Sequence, residues 1–403
     1  MNDLRPAGPA AYDGALSTPI KVKRRRRIRH PMLWLLGIIL LLSGLLVLRV
    51  GLVSFPAFEQ KSVNSDDGWH ILRGAYHLVA PTGQVSDQES LVQSAFKAEI
   101  DFLVLAGSDL ESANKIAASA PFPVVVGQEI VTGQGTVVAI NPTGGVAIKK
   151  KGIMSVFSEV KQAGGWTVVA NPLDVDNPWT AWDTHGYEGI EFFNVARQLQ
   201  SITFTDRLGH WIGLVLGSQY SQVYLGRRAV GGLGHWDDGN RQTQVIGFCA
   251  LGVEGDFDLL RAVTTYLLVP EGFGPYGPAE VEKALKQGHH FCALPFFGDP
   301  AGFRFEARAE PGTTPLGIMG DRIDFQAGIE LIADLNLPHD PGILVFHLFL
   351  DGREVLTTNG TRINYKVSVP GTYRVEIGVK FADIPWGESE RLFLYSNPIH
   401  ILK

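Results

Sequence analysis

The chain has 403 residues, 45% hydrophobic and 19% charged, which suits two or three domains with sizeable cores and excludes a disordered or collagen-like polymer. Its two cysteines exclude a disulfide-dense scaffold and a four-thiolate zinc site. The net charge of −6 is uneven: residues 1–31 hold eight Lys/Arg against two Asp/Glu, and the rest holds 27 against 39, an acidic body that argues against nucleic acid as a partner.

Residues 1–31 read as a disordered basic tail, ending in the run Lys21–Arg29. Met32–Leu48 has no charge, and Val50–Phe55 resumes the apolar pattern after Arg49. Together, residues 32–55 predict a transmembrane helix, whose Arg49 can snorkel to the interface. The basic run places the N-terminus in the cytoplasm and the main body outside. Leu52-Val-Ser-Phe-Pro-Ala57 lacks an Ala-x-Ala cleavage pattern, so the segment reads as an uncleaved signal anchor with membrane lipid as its partner. Residues 56–69 form a linker.

From about residue 70 to 300, short apolar runs alternate with amphipathic segments. Strands are predicted at Phe102–Leu105, Val124–Gly127, Thr136–Ile140, Trp166–Ala170, Gly189–Phe193, Gly213–Leu216 and Gln244–Phe248. Helices are predicted at Gln88–Glu99, around Val156, Phe157 and Val160, and at Pro278–Gln287, which opens on Pro and closes at Gly288. That alternation implies a parallel sheet, open or closed into a barrel, with chemistry at the carboxyl ends of its strands. His77, Asp109, Glu129, Asn171, Glu191, Asn194 and Cys249 fall at those ends.

Six stretches occur in a telling order. They are Gly74-Ala-Tyr-His77-Leu-Val79-Ala, then Asp101-Phe-Leu-Val-Leu-Ala-Gly-Ser108, Gly127-Gln-Glu129, Gly164-Gly-Trp-Thr-Val-Val-Ala-Asn171-Pro172, Gly189-Ile-Glu191-Phe-Phe-Asn194 and Gly247-Phe-Cys249-Ala-Leu251. Over about residues 70–295 the series resembles the PHP (polymerase and histidinol phosphatase) family. The resemblance implies a distorted (β/α)7, TIM-like barrel and metal-dependent phosphoesterase activity, and it points to a bacterium. The anchor then lies in the inner membrane, single-pass, with a periplasmic or extracellular body.

Carried over residue by residue, the family's metal ligands are largely gone. His77 and Glu129 survive as metal-ligand candidates. Val79, Gly107-Ser108, Asn171, Cys249 and Leu251 stand at the other ligand positions. A catalytic metal needs about three protein ligands. Asp109, Asn171, Glu191, Asn194, His185 and Cys249 are substitutes by residue type, and a single Zn, Mn or Fe held by His77, Glu129 and Cys249 is the alternative to a cofactor-free cleft. The plainer readings are a satisfied cleft histidine for His77, a carboxylate bound by loop amides for Glu129, and a loop cap for Asn194.

Other constellations are weaker. His235-Trp-Asp-Asp-Gly-Asn240 reads as a surface loop. His289-His290 would point to opposite faces of a strand. Trp179, Trp182 and Tyr187 lie in one loop that packs over the barrel mouth or stacks on a ligand. Outside the cytoplasm, Cys249 and Cys292 can oxidise if they lie near one barrel end.

From about Gly302, period-two alternation at Ile363–Val369 and Tyr373–Val379 predicts strands with one face buried, with a turn at Pro370-Gly371. Residues 301–403 read as an all-β sandwich, and Pro370–Glu376 with Tyr395–His400 resembles the immunoglobulin-like tail of some anchored PHP proteins. The combined expectation is an anchored, extracytoplasmic PHP-like pseudoenzyme of the cell envelope that binds a protein or small molecule. The alternatives are a metal-dependent phosphoric ester hydrolase with a rearranged site and an architectural subunit of an envelope complex.

Overall fold

The computed structural model describes residues 31–53, 68–81, 85–144, 152–216, 223–253, 259–272, 275–309, 314–337, 340, 342–383 and 387–403. Most of the expected tail and linker lies outside them. The chain divides into Met1–Leu46 and Val47–Lys403. Helix α1 (Pro31–Leu52) holds an 18-residue window with a mean hydropathy of 2.5 and has the length to cross a membrane. Residues 54 and 55 of the expected span lie outside the described residues.

The larger body begins with β1 (Trp69–Leu78), α2 (Val85–Lys97), β2 (Phe102–Gly107), α3 (Leu110–Ser119), β3 (Val124–Thr132), β4 (Gly135–Ile140), α4 (Ile153–Gln162) and β5 (Trp166–Ala170). It continues through β6 (Gly189–Asn194), α5 (Val195–Ser201), α6 (Phe204–Leu216), α7 (Val230–Gln242), β7 (Ile246–Ala250), β8 (Thr264–Pro270), α8 (Pro278–Gln287) and β9 (His290–Ala293). The sheet is mixed, not parallel throughout. Parallel pairs are β1–β2, β2–β3, β5–β6 and β6–β7, while β3–β4, β4–β5, β1–β8 and β8–β9 are antiparallel. Only Gly133 and Gln134 join β3 to β4, too few for the crossover that a parallel pair requires.

The carboxyl end of β7 returns to β1. Leu251 N–H donates to Tyr76 O (3.0 Å), Gly252 N–H to His77 O (3.0 Å) and Val79 N–H to Val253 O (3.3 Å). Between these strands lies one apolar core that includes Tyr76, Phe102, Ile140, Trp166, Phe248 and Leu267. Gly74 is required by close approach: a Cβ there would fall 2.1 Å from the Phe102 ring.

Two expectations are overturned. Gly213–Leu216 is the last turn of α6, not a strand. A short apolar run fits either state, and here it continues a helical spacing that starts at Phe204. His235–Asn240 belongs to α7, not a loop, because Trp236 and Leu233 are buried on one side of that helix. Trp236 stacks on Phe192 of β6 at 4.5 Å between centroids.

The C-terminal strands are β10 (Arg304–Arg308), β11 (Gly317–Ile318), β12 (Arg322–Asp324), β13 (Glu330–Asp334), β14 (Leu344–Leu350), β15 (Arg353–Asn359), β16 (Arg362–Lys366), β17 (Gly371–Asp383), β18 (Gly387–Ser396) and β19 (Ile399–Leu402). One sheet runs β11-β10-β13-β16, while β17 pairs with β14, β18 and β19 in the other. Strand β18 also pairs with β9, so the second sheet continues into the first. The alternation in β17 does not bury one face alone. Tyr373, Val375, Ile377 and Val379 are buried, but so are Arg374 and Glu376, because α7 brings Asp237 against that face.

At the β7–β9 junction, Gly247 N–H donates to Asn397 Oδ1 (2.8 Å), and His290 Nε2 donates to Gly247 O (3.0 Å). Burial pushes the His290 pKa down to about 4. The unfolded group binds its proton near pH 6.5, so His290's contribution to stability is complete above that pH and is lost as the pH falls toward 4. Acidification across this window is expected to cost roughly 3 kcal/mol through His290. A denaturation series should show that slope, with a shallower one in His290→Gln. Equal slopes would contradict it.

Candidate functional site

The carboxyl ends of β1, β5 and β6 bring together His77, Asn171 and Glu191. Every residue of β6 is buried, so a carboxylate in it demands a partner. Glu191 has two. His77 Nδ1 lies 2.5 Å from Oε1, and the Asn171 backbone N–H donates to Oε2 at 2.9 Å. His77 reaches Glu191 through a left-handed backbone, φ +54°, at an irregularity in the β1–β2 register between Tyr76 and Leu78. Burial alone would lower the His77 pKa, but Glu191, with Glu129 behind it, outweighs burial and raises it. Burial and the Glu191 charge hold the Tyr76 phenol well above its ordinary value, and its hydroxyl is buried without a partner among the described residues.

The remaining candidates have other tasks. Asp109 caps α3: its carboxylate accepts from the N–H groups of Glu111 (3.0 Å) and Ser112 (3.3 Å) and from the Ser112 hydroxyl (2.7 Å). Those bonds, led by the Ser112 hydroxyl, lower its pKa. Asn194 caps α5 by accepting from Arg197 N–H at 3.1 Å. Cys249 is bonded to Cys292, with Cα atoms 6.1 Å apart. Glu129 stays half-buried on β3.

Among the described residues, no three His, Cys, Asp or Glu side chains converge as metal ligands. The Cys249 sulfur is held in the disulfide, and Val79 and Leu251, at two of the family's ligand positions, carry no donor atom.

The aromatic loop divides. Trp179 is buried against β4, where a Cβ on Gly135 would meet its ring at 2.7 Å. Trp182 stacks on His235 of α7, with centroids 3.5 Å apart and an interplanar angle of 10°. Trp182, His185, Tyr187, His235 and Asp238 line a cleft of about 300 Å³. That cleft lies at the amino ends of β6 and β7, opposite the His77 end. The sequence does not show the pairing of this loop with α7, because His235–Asn240 lacks a helical apolar spacing of its own.

The described architecture is a mixed α/β body with a large sheet and one apolar N-terminal helix. No family model matches the chain, and no curated protein matches it. Among solved structures, a two-domain protein from Bacteroides vulgatus containing a predicted PHP-like metal-dependent phosphoesterase is similar at 13% identity and a TM-score of 0.38. The match covers 84% of this chain and 98% of that one.

Proposed function

We propose that the protein is a membrane-anchored, extracytoplasmic PHP-like protein that binds a ligand or partner at a vestigial cleft without hydrolysing it. The observation that carries this reading is the use of three candidate donors elsewhere, Asp109 and Asn194 in helix caps and Cys249 in a disulfide, together with the apolar Val79 and Leu251 at two ligand positions. The barrel part of the reading, residues 70–300, is supported by the strand order β1 to β7 and the return of β7 to β1. The immunoglobulin-like sandwich, residues 301–403, is supported by the antiparallel sheet β11-β10-β13-β16 meeting the antiparallel strands β14, β17 and β18 at Tyr365 and Tyr373. The anchor reading draws on the length of α1, and the disulfide favours an oxidising compartment.

Elemental analysis of the full-length protein tests this proposal. The expected result is no stoichiometric Mn, Fe or Zn, even after adding each back. Near-stoichiometric metal that disappears in His77→Ala/Glu129→Ala would overturn the proposal and favour the phosphoesterase alternative.

A further inference from the structure

Helix α6 presents its large side chains to the outside. Phe204, Leu208, Trp211 and Val215 recur at i, i+4, i+7 and i+11, which is one stripe of a helix. That stripe faces away from the protein: Phe204 is 80% exposed, Trp211 62% and Val215 85%. The opposite side holds Asp206, Gly209 and Gly213. Both glycines are buried, and Asp206 is paired with Arg227. Thr203 and Asp206 form a reciprocal cap, Thr203 N–H donating to Asp206 Oδ2 and Asp206 N–H to Thr203 Oγ1, each at 3.2 Å. The body thus holds α6 by its polar and small residues. An ordered apolar stripe of this kind gains free energy only from an apolar medium.

The location of α6 indicates which medium. Val50 and Val53, at the end of the apolar helix α1, are buried. A Cβ on Gly51 would lie 3.6 Å from Leu216 Cδ1, so the last turn of α6 abuts the last turn of α1. We propose that α6 lies in the interfacial layer of the membrane that α1 spans, with its apolar stripe toward the acyl chains. Trp211 then sits at headgroup depth, where indole rings concentrate, and a helix of 13 residues covers roughly 20 Å of that surface. The proposal rests on the anchor reading of α1.

Spin labels separate the two. In the full chain, Cys249 and Cys292 are paired, so a nitroxide attaches to an introduced thiol at Trp211→Cys, at Leu42→Cys in α1, or at the 82%-exposed Val175→Cys. In lipid nanodiscs, collision with oxygen reports lipid and collision with a water-soluble nickel complex reports solvent. The expected result is a lipid-like ratio at position 42, a lipid-like but shallower ratio at 211, and an aqueous ratio at 175. Val215→Cys is a second reporter on the same stripe if Trp211→Cys does not fold. An aqueous label at 211 with a lipid-bound one at 42 overturns the placement of α6 and leaves the anchor standing. Aqueous labels at both overturn the two together. A label at 211 shielded from both reagents, with spin–spin broadening, means that a second copy covers the stripe and also overturns the proposal.

Discussion

Replacing Arg374 by Ala is expected to lower the unfolding free energy by about 3–5 kcal/mol, because it leaves the buried Asp237 carboxylate without its arginine and takes one of two arginines from Glu376. Arg374 is 3% exposed. Its Nε and Nη2 donate to the two oxygens of Asp237 at 2.7 and 2.8 Å, and Nη1 donates to Glu376. Burial would lower the guanidinium pKa, but Asp237 and Glu376 reverse that and raise it. The group also lies 4.3 Å from the Phe349 centroid, a desolvated cation–π contact. Arg228 binds the far side of Glu376 at 2.8 and 2.9 Å. Chemical denaturation followed by tryptophan emission measures the loss. In the triple variant Arg374→Met/Asp237→Leu/Glu376→Leu, the charges leave together and most of the stability should return. A single substitution costing under about 1 kcal/mol would show that the network is not desolvated in solution.

The second large effect concerns Cys249 and Cys292. They lie 43 residues apart in sequence and join β7 to β9. Closing a loop of that length constrains the unfolded chain by about 4 kcal/mol. Reductant should therefore lower the denaturation midpoint of the native protein, and the Cys249→Ala/Cys292→Ala protein should start from the lowered value and ignore reductant. A native midpoint indifferent to reductant would contradict this.

Elements with strong punctuation were legible in the sequence. Strand β5 and helix α8 were read to the residue, because Gly164-Gly165 precedes one and Pro278 and Gly288 bracket the other. Helix α6 was missed although its capping pair, Thr203 and Asp206, stood in plain sight. Gly213–Leu216 alone fits a strand as well as a helix, and only the spacing upstream decides. Among the candidate residues, His77, Asn171 and Glu191 were named, but the bond between His77 and Glu191 was not. It depends on a positive φ at a non-glycine residue and on β7 closing against β1, neither of which a local pattern encodes. Arg374 and Glu376 looked like the wet face of a strand, because their partner Asp237 comes from 137 positions upstream.

Strand β9 is a seam owned by both halves of the molecule. Its residues Phe291–Ala293 pair with Ser396–Leu394 on one side and with β8 on the other, and Asn397 grips Gly247 directly. A proteolytic nick between residues 294 and 303 would leave all of these bonds in place, so the severed chain would remain a single particle. Gene-level separation is different. A product ending at residue 300 would carry β9 as a raw edge, open to any strand that could pair with it. The two halves are therefore separable on paper and co-dependent as a material.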